Sequence, residues 1–103
     1  QFRAACTQYG VDYRTVKELP FLLDTSQAAG LADMFYGCSS LTTVPDLDTS
    51  RVTDMSFTFR DCSSLTDGNV RCIGRHPSVN TQSMILGSGL ARLPFYDTNG
   101  NPI

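Results

Sequence analysis

Cys72 and His76 stand close together in the string Cys-Ile-Gly-Arg-His, and His76 is the one histidine of the 103-residue chain. A cysteine nucleophile needs a base within hydrogen-bond reach and a third group to orient that base. The stretch Gly74-Arg75-His76-Pro77-Ser78 reads as a loop, which imposes no such order. No catalytic residue is assigned. A zinc site drawn from Cys62, Cys72 and His76 lacks a fourth ligand and the short Cys-to-Cys spacing of zinc motifs, so neither metal nor cofactor is expected. Asp46 and Asp48 alternate, and Asp24 aligns with Asp48 one repeat later, an oxygen-rich set of the kind calcium takes. Asp-Thr-Ser ahead of a helix is explained more simply as a cap. Asp24, Ser26, Asp48 and Ser50 are therefore read as helix caps.

The four cysteines are even in number, which permits disulfides. Cys38 and Cys62 occupy one position of a repeat, and stacked equivalents lie roughly 4.8 Å apart. Bridged Cα atoms are usually about 4.4–6.8 Å apart, so a bond between them is geometrically conceivable. The recurrence itself favours a free, buried ladder, since a free cysteine packs as a small hydrophobe. The pairing of Cys6 and Cys72 stays open. Among the aromatics, Phe35 and Phe59 share one repeat position and belong to the core. Tyr36 and Phe57 do not align and are candidates for exposure. Phe21, Phe95 and Tyr96 flank a column of prolines, where an exposed apolar patch would mark a contact.

Those side chains must be positioned by a chain that repeats itself. Asp24-Thr25-Ser26 returns as Asp48-Thr49-Ser50, and Cys38-Ser39-Ser40-Leu41-Thr42 returns as Cys62-Ser63-Ser64-Leu65-Thr66. Partial copies run from Leu19 to Ser26, Val44 to Ser50 and Leu93 to Asn99. Pro20 and Pro45 stand one period apart and Pro45 and Pro94 two, which places a missing cycle near Asn69. Self-similarity at a period of about 24 residues marks stacked strand-and-helix units. Such stacks present surfaces rather than house catalytic chemistry.

Phe2, Ala5, Cys6 and Tyr9 line one helical face that Gly10 would end, so residues 1–12 are expected to form an N-terminal helical cap. Residues 15–66 hold the well-formed repeats, and residues 67–103 the eroded repeats and a C-terminal cap, within a single domain over 1–103. Ala28, Leu31 and Phe35, then Val52, Met55 and Phe59, mark the inner faces of two helices. A further helix is expected from Val79, carrying Gln82, Met84 and Leu86, and a closing strand within Leu90–Tyr96. The predicted core is Phe35, Cys38, Leu41, Val44, Met55, Phe59, Cys62 and Leu65. The prolines cannot donate to a ladder, so each strand is very short.

Hydrophobic residues make up 41% of the chain and charged ones 17%. Those shares fit a folded domain with little charge. The net charge is −2 and no Lys/Arg cluster occurs, so no nucleic-acid partner is expected. No apolar run approaches the roughly 18 residues of a membrane span, so no membrane insertion is expected. A chain that opens on Gln1 reads as a mature product or a piece of something longer.

The unit over Asp48–Thr66, with its Asp-Thr-Ser, Val-Thr, Met, Phe and Cys-Ser-Ser-Leu-Thr elements, resembles the leucine-rich repeats of BspA-like bacterial surface proteins. Such repeats also occur in tail and other structural proteins of bacteriophages. The resemblance covers residues 15–66 well and Val79–Thr98 weakly. It implies an α/β fold: a short right-handed leucine-rich-repeat solenoid of about four coils with a period of about 24, built of short parallel strands and short helices. It also implies a non-catalytic role in protein or cell-surface contact, extracellular, at a bacterial surface or in a phage virion. The alternative is a purely structural spacer or decoration domain that docks to itself or to neighbouring subunits. Expected partners are a protein or cell-surface ligand or parent-particle subunits, with self-association allowed. Arg71 to Ser78 depart from the pattern, so Arg71, Arg75 and His76 are read as a projecting contact loop.

Overall fold

A computed structural model describes residues 6, 8, 10, 12–19 and 23–103. The strands are β1 (Leu47–Asp48), β2 (Cys72–Ile73) and β3 (Phe95–Tyr96), each two residues long. Pro45 shortly precedes the first and Pro94 adjoins the third, which limits how far either ladder can run. They pair in parallel in the order β1-β2-β3, with Leu47 opposite Cys72 and Cys72 opposite Phe95. Leu47, Cys72 and Phe95 point inward and are buried, as the two-residue period of a strand requires. Pro94 gives no N–H. Its carbonyl nevertheless accepts from the Cys72 N–H at 2.8 Å.

The free edge of β3 is closed by Pro102 and Ile103. Tyr96 bridges antiparallel to Pro102, and the Ile103 N–H donates to the Phe95 carbonyl at 3.0 Å. Asp97 holds the reversal, its Oδ1 accepting from the N–H groups of Asn99 and Asn101, both at 2.9 Å. Covering an edge in this way removes a template for uncontrolled pairing.

Opposite the sheet, successive passes of the chain meet through isolated parallel bridges, Gly30 to Asp54 to Asn80, and to one side Thr66 to Gly89. Between these two walls lies one core containing Phe35, Cys38, Leu41, Val44, Met55, Phe59, Cys62 and Leu65, all buried. Leu47, Val52, Val70, Cys72, Met84 and Phe95 complete it.

The helices expected after each Asp-Thr-Ser are not there. Residues 32–37, 56–61 and 82–87 are runs of turns, and the helix expected from Val79 is absent too. The physical reason is a left-handed backbone at regular places: Asp33, Gly37, Phe57, Asp61, Ser83 and Gly87 all have φ between 51° and 78°. A non-glycine residue in that region costs about 1–2 kcal/mol and interrupts a right-handed helix. The cost is offset because alternate N–H groups reach the next pass instead of the carbonyl four residues back. Phe35 donates to Thr58 at 2.9 Å and Phe59 to Met84 at 2.9 Å, while Cys38 and Cys62 close three-residue turns onto Phe35 and Phe59.

These observations overturn the α/β helix-and-strand solenoid and the leucine-rich-repeat resemblance that implied it. Three short parallel strands in one open sheet, with stacked turns facing them, take its place. Asp24, Ser26, Asp48 and Ser50 accordingly cap no helix. Each aspartate Oδ1 instead accepts from the N–H and the hydroxyl of the serine two residues on, with the hydroxyl bonds at 2.7 Å.

At the N-terminus, Cys6 and Gln8 are helical and Cys6 is buried. Phe2, Ala5 and Tyr9 of the expected cap, and Pro20, Phe21 and Leu22 of the Leu19–Ser26 copy, lie outside the described residues. Among the described residues no helix is long and apolar enough to cross a membrane.

Candidate functional site

The expected contact loop is part of the frame. Asn69 to Ser78 contains β2, the central strand, and Cys72 is fully buried. Arg71 pairs with Asp46 through two bonds of 3.1 and 3.0 Å on the exposed side of the sheet. The Arg75 guanidinium lies over the Phe95 ring, 4.9 Å from its centroid. His76 accepts at Nδ1 from the Ser78 N–H at 3.0 Å and shapes its own turn. Phe95 and Tyr96 form β3 and are buried, so they make no exposed patch; Phe21, the third of that group, lies outside the described residues. Of the residues named as a surface, Phe95 and Tyr96 serve the interior, whereas Arg71 and Arg75 are exposed beside the central strand.

Nor do the thiols form a reactive site. Cys6, Cys38, Cys62 and Cys72 are all buried thiols outside any disulfide. Burial pushes the Cys62 and Cys72 thiols up to about 12, well above the range of a nucleophilic thiolate. Cys62 donates from Sγ to the Phe35 carbonyl at 2.9 Å, which ties one pass to the previous one. Among the described residues no group of three His, Cys, Asp or Glu side chains is set to hold a metal.

Three threonines hold the passes together from inside. Thr25 donates from Oγ1 to the Asp48 carbonyl at 2.9 Å and Thr49 to the Gly74 carbonyl at 2.5 Å, while the Thr58 hydroxyl is shared between the Met55 carbonyl of its own pass at 2.6 Å and the Leu31 carbonyl of the previous one at 3.0 Å. All three are buried. The recurrence of Asp-Thr-Ser signalled the first two. Read as a helix cap, that motif drew attention to the aspartate and serine and away from the inward threonine.

Among the described residues, several main-chain groups are left unpaired. The first row of N–H donors, Leu31, Asp33, Phe35 and Gly37, is matched by the carbonyls of Asp54, Ser56, Thr58 and Arg60. The second row, Met55, Phe57, Phe59 and Asp61, is matched by Asn80, Gln82, Met84 and Leu86, at 2.8 to 3.0 Å. The same position in the third pass is held by Thr81, Ser83, Ile85 and Gly87. Their N–H groups donate to nothing among the described residues, while the carbonyls of Thr81, Ser83 and Ile85 are spent on turns within the pass.

At the other end of the stack, the carbonyls of Gly30, Ala32 and Met34 stand where Asp54, Ser56 and Thr58 stand one pass later. They accept nothing among the described residues and border a shallow groove lined by Gly30, Leu31, Ala32 and Met34. Exposure follows the same division. None of residues 54–60 is exposed, whereas Gly30, Ala32 and Asp33 on one side and Asn80, Gln82, Leu86 and Gly87 on the other are.

These rows differ from an ordinary strand edge, which offers donors and acceptors in alternation. Among the described residues, one edge presents the unmatched N–H groups of Thr81, Ser83, Ile85 and Gly87 and the other the unmatched carbonyls of Gly30, Ala32 and Met34. A row of N–H groups carries partial positive charge and a row of carbonyls partial negative charge, so each selects the opposite kind of partner.

Comparison with family models, curated proteins and solved structures finds no match for this chain. The BspA-like assignment thus has neither the helices it requires nor a matching family. The adhesion role at a bacterial surface or phage virion, which rested on it, falls with it.

Proposed function

We propose that this protein is a non-catalytic contact module that binds the main chain of a partner polypeptide along the donor edge Thr81–Gly87. The observation that carries the reading is the contrast between three equivalent rows. Two are fully matched inside the chain, and the third repeats their left-handed turns, borders solvent and lacks acceptors among the described residues. An unmatched N–H in water costs little, but a partner offering carbonyls gains several bonds at once with no rearrangement of a preformed row. The partner chemistry that suits the edge is an extended segment that presents carbonyl oxygens on one side. The non-catalytic part of the reading draws support from the buried, raised thiols and from His76, whose Nδ1 is engaged in its own turn.

Residue-resolved amide exchange on the dilute chain tests this. Met55, Phe57, Phe59 and Asp61 are expected to be protected, and Thr81, Ser83, Ile85 and Gly87 to exchange at nearly the rate of a free peptide. Protection of those four in the dilute monomer would mean that the edge is already closed, and the reading would fail.

A further inference from the structure

From the two unmatched rows we infer that the partner is a second copy of this chain, docked head to tail. Its carbonyls at Gly30, Ala32 and Met34 receive the N–H groups of Thr81, Ser83 and Ile85. The inference rests on the contact reading above and adds the identity of the occupant. Three observations point to a copy rather than to an unrelated strand. The chain shows this pairing twice internally, first from the Leu31 row onto the Asp54 row, then from the Met55 row onto the Asn80 row. A copy brings an acceptor row of the same conformation and spacing, which an ordinary strand does not, because its own N–H groups would face a donor edge. The acceptor row also borders a groove lined by Gly30, Leu31, Ala32 and Met34.

The chemistry fixes the symmetry. Two donor rows cannot pair with each other, and neither can two acceptor rows, so these rows do not pair across a two-fold axis. The contact is heterologous: each copy gives one edge and receives at the other, which propagates into longer chains of copies. The antiparallel tail over β3 closes the sheet wall at Phe95 and Tyr96, so the junction is confined to the turn-bearing wall. One wall instead of two makes it a weak, concentration-dependent contact.

The test uses the whole chain and two variants that block opposite edges. Thr81→Pro removes a donor that has no partner among the described residues and puts ring carbon where the incoming carbonyl would sit. Ala32→Arg places bulk on the exposed rim of the groove. Sedimentation and amide exchange are followed from micromolar to near-millimolar protein, with protection of Phe57 and Phe59 reporting that each variant is folded. Unsubstituted protein is expected to gain mass with concentration, and exchange at Thr81, Ser83 and Ile85 to slow by about tenfold or more as the edge fills. Each variant alone is expected to remain a monomer. Mixed together, they are expected to form a one-to-one dimer and nothing larger, because one intact donor edge then meets one intact acceptor edge. A mixture that stays monomeric would overturn the proposal, as would a variant that still associates. So would unsubstituted protein whose four edge amides exchange freely at every concentration; in that case the edge remains open for another partner and only the head-to-tail inference is lost. If either variant is unfolded, the exchange series on unsubstituted protein decides alone.

Discussion

Phe59 lies flat against Phe35, with ring centroids 5.6 Å apart and planes within 2° of parallel. The two rings come from equivalent positions of successive passes, and both are fully buried. They stack in parallel with a lateral offset because the Phe35 N–H reaches the Thr58 carbonyl, which sets the two passes in register.

Phe59→Ala opens a cavity under Phe35 that the neighbouring passes, tied by main-chain bonds, cannot collapse to fill. The expected loss is about 3–5 kcal/mol, out of roughly 5–15 kcal/mol for a domain of this kind. Chemical denaturation of parent and variant measures it. A loss under about 1 kcal/mol would mean that the ring stack does not support the core.

Two glycines should respond in opposite ways to alanine. A Cβ on Gly89 would stand 2.5 Å from the Leu65 carbonyl oxygen and 3.2 Å from Thr66 Cγ2, and a main-chain carbonyl held in a bridge cannot swing aside. Gly89→Ala is expected to cost about 1–3 kcal/mol through overpacking. Among the described residues nothing lies within 4 Å of a Cβ added to Gly30, and its φ is not left-handed. Gly30→Ala should be neutral or stabilise by up to about 1 kcal/mol by restricting the unfolded chain. The difference between their melting temperatures is the measurement.

Acid should weaken the fold through its aspartates. Hydrogen bonds from Ser50 hold the Asp48 carboxyl below its ordinary value of 3.8, and those from Ser56 do the same for Asp54. A carboxylate with a lowered folded value contributes stability that is fully present above the unfolded value and lost as pH falls through the folded one. Stability should therefore be level from neutrality down to about pH 5 and decline below about pH 4. Asp54→Asn should flatten that decline, as read from urea midpoints across the acid range.

The thiols should be silent in the native state. With Cys62 and Cys72 pushed up to about 12, only about one part in ten thousand is thiolate at mildly alkaline pH, and neither sulfur meets solvent. A thiol reagent is expected to leave both untouched in native protein and to modify all four cysteines once the chain is denatured. Rapid native labelling of Cys62 or Cys72 would contradict the packing described for the core.

Much was legible in the sequence by itself, because burial selects side chains at the spacing at which neighbouring passes meet. Cys38 with Cys62, Phe35 with Phe59 and Leu41 with Leu65 recur at one common spacing, and each pair sits inside one core. Pro45 and Pro94 likewise announced strands too short for a long ladder. What fills the stretch between Asp-Thr-Ser and Cys-Ser-Ser could not be read there. Leu31 with Phe35, and Met55 with Phe59, have helical spacing, and a single chain in isolation has no reason to reject a helix. The helix loses only when a neighbouring pass offers carbonyls to alternate N–H groups, which repays left-handed turns at residues as unfavourable as Phe57. That repayment is tertiary: it depends on what lies alongside, not on the order of residues. The same holds for the eroded stretch around Cys72, read as a projecting loop because its motif is gone, yet placed at the centre of the sheet by pairing on both sides. It holds most of all for the open donor edge. Thr81, Ser83, Ile85 and Gly87 carry no side-chain signature, because the groups that matter are main-chain N–H groups every residue but proline possesses, and only the absence of a further pass among the described residues leaves them open.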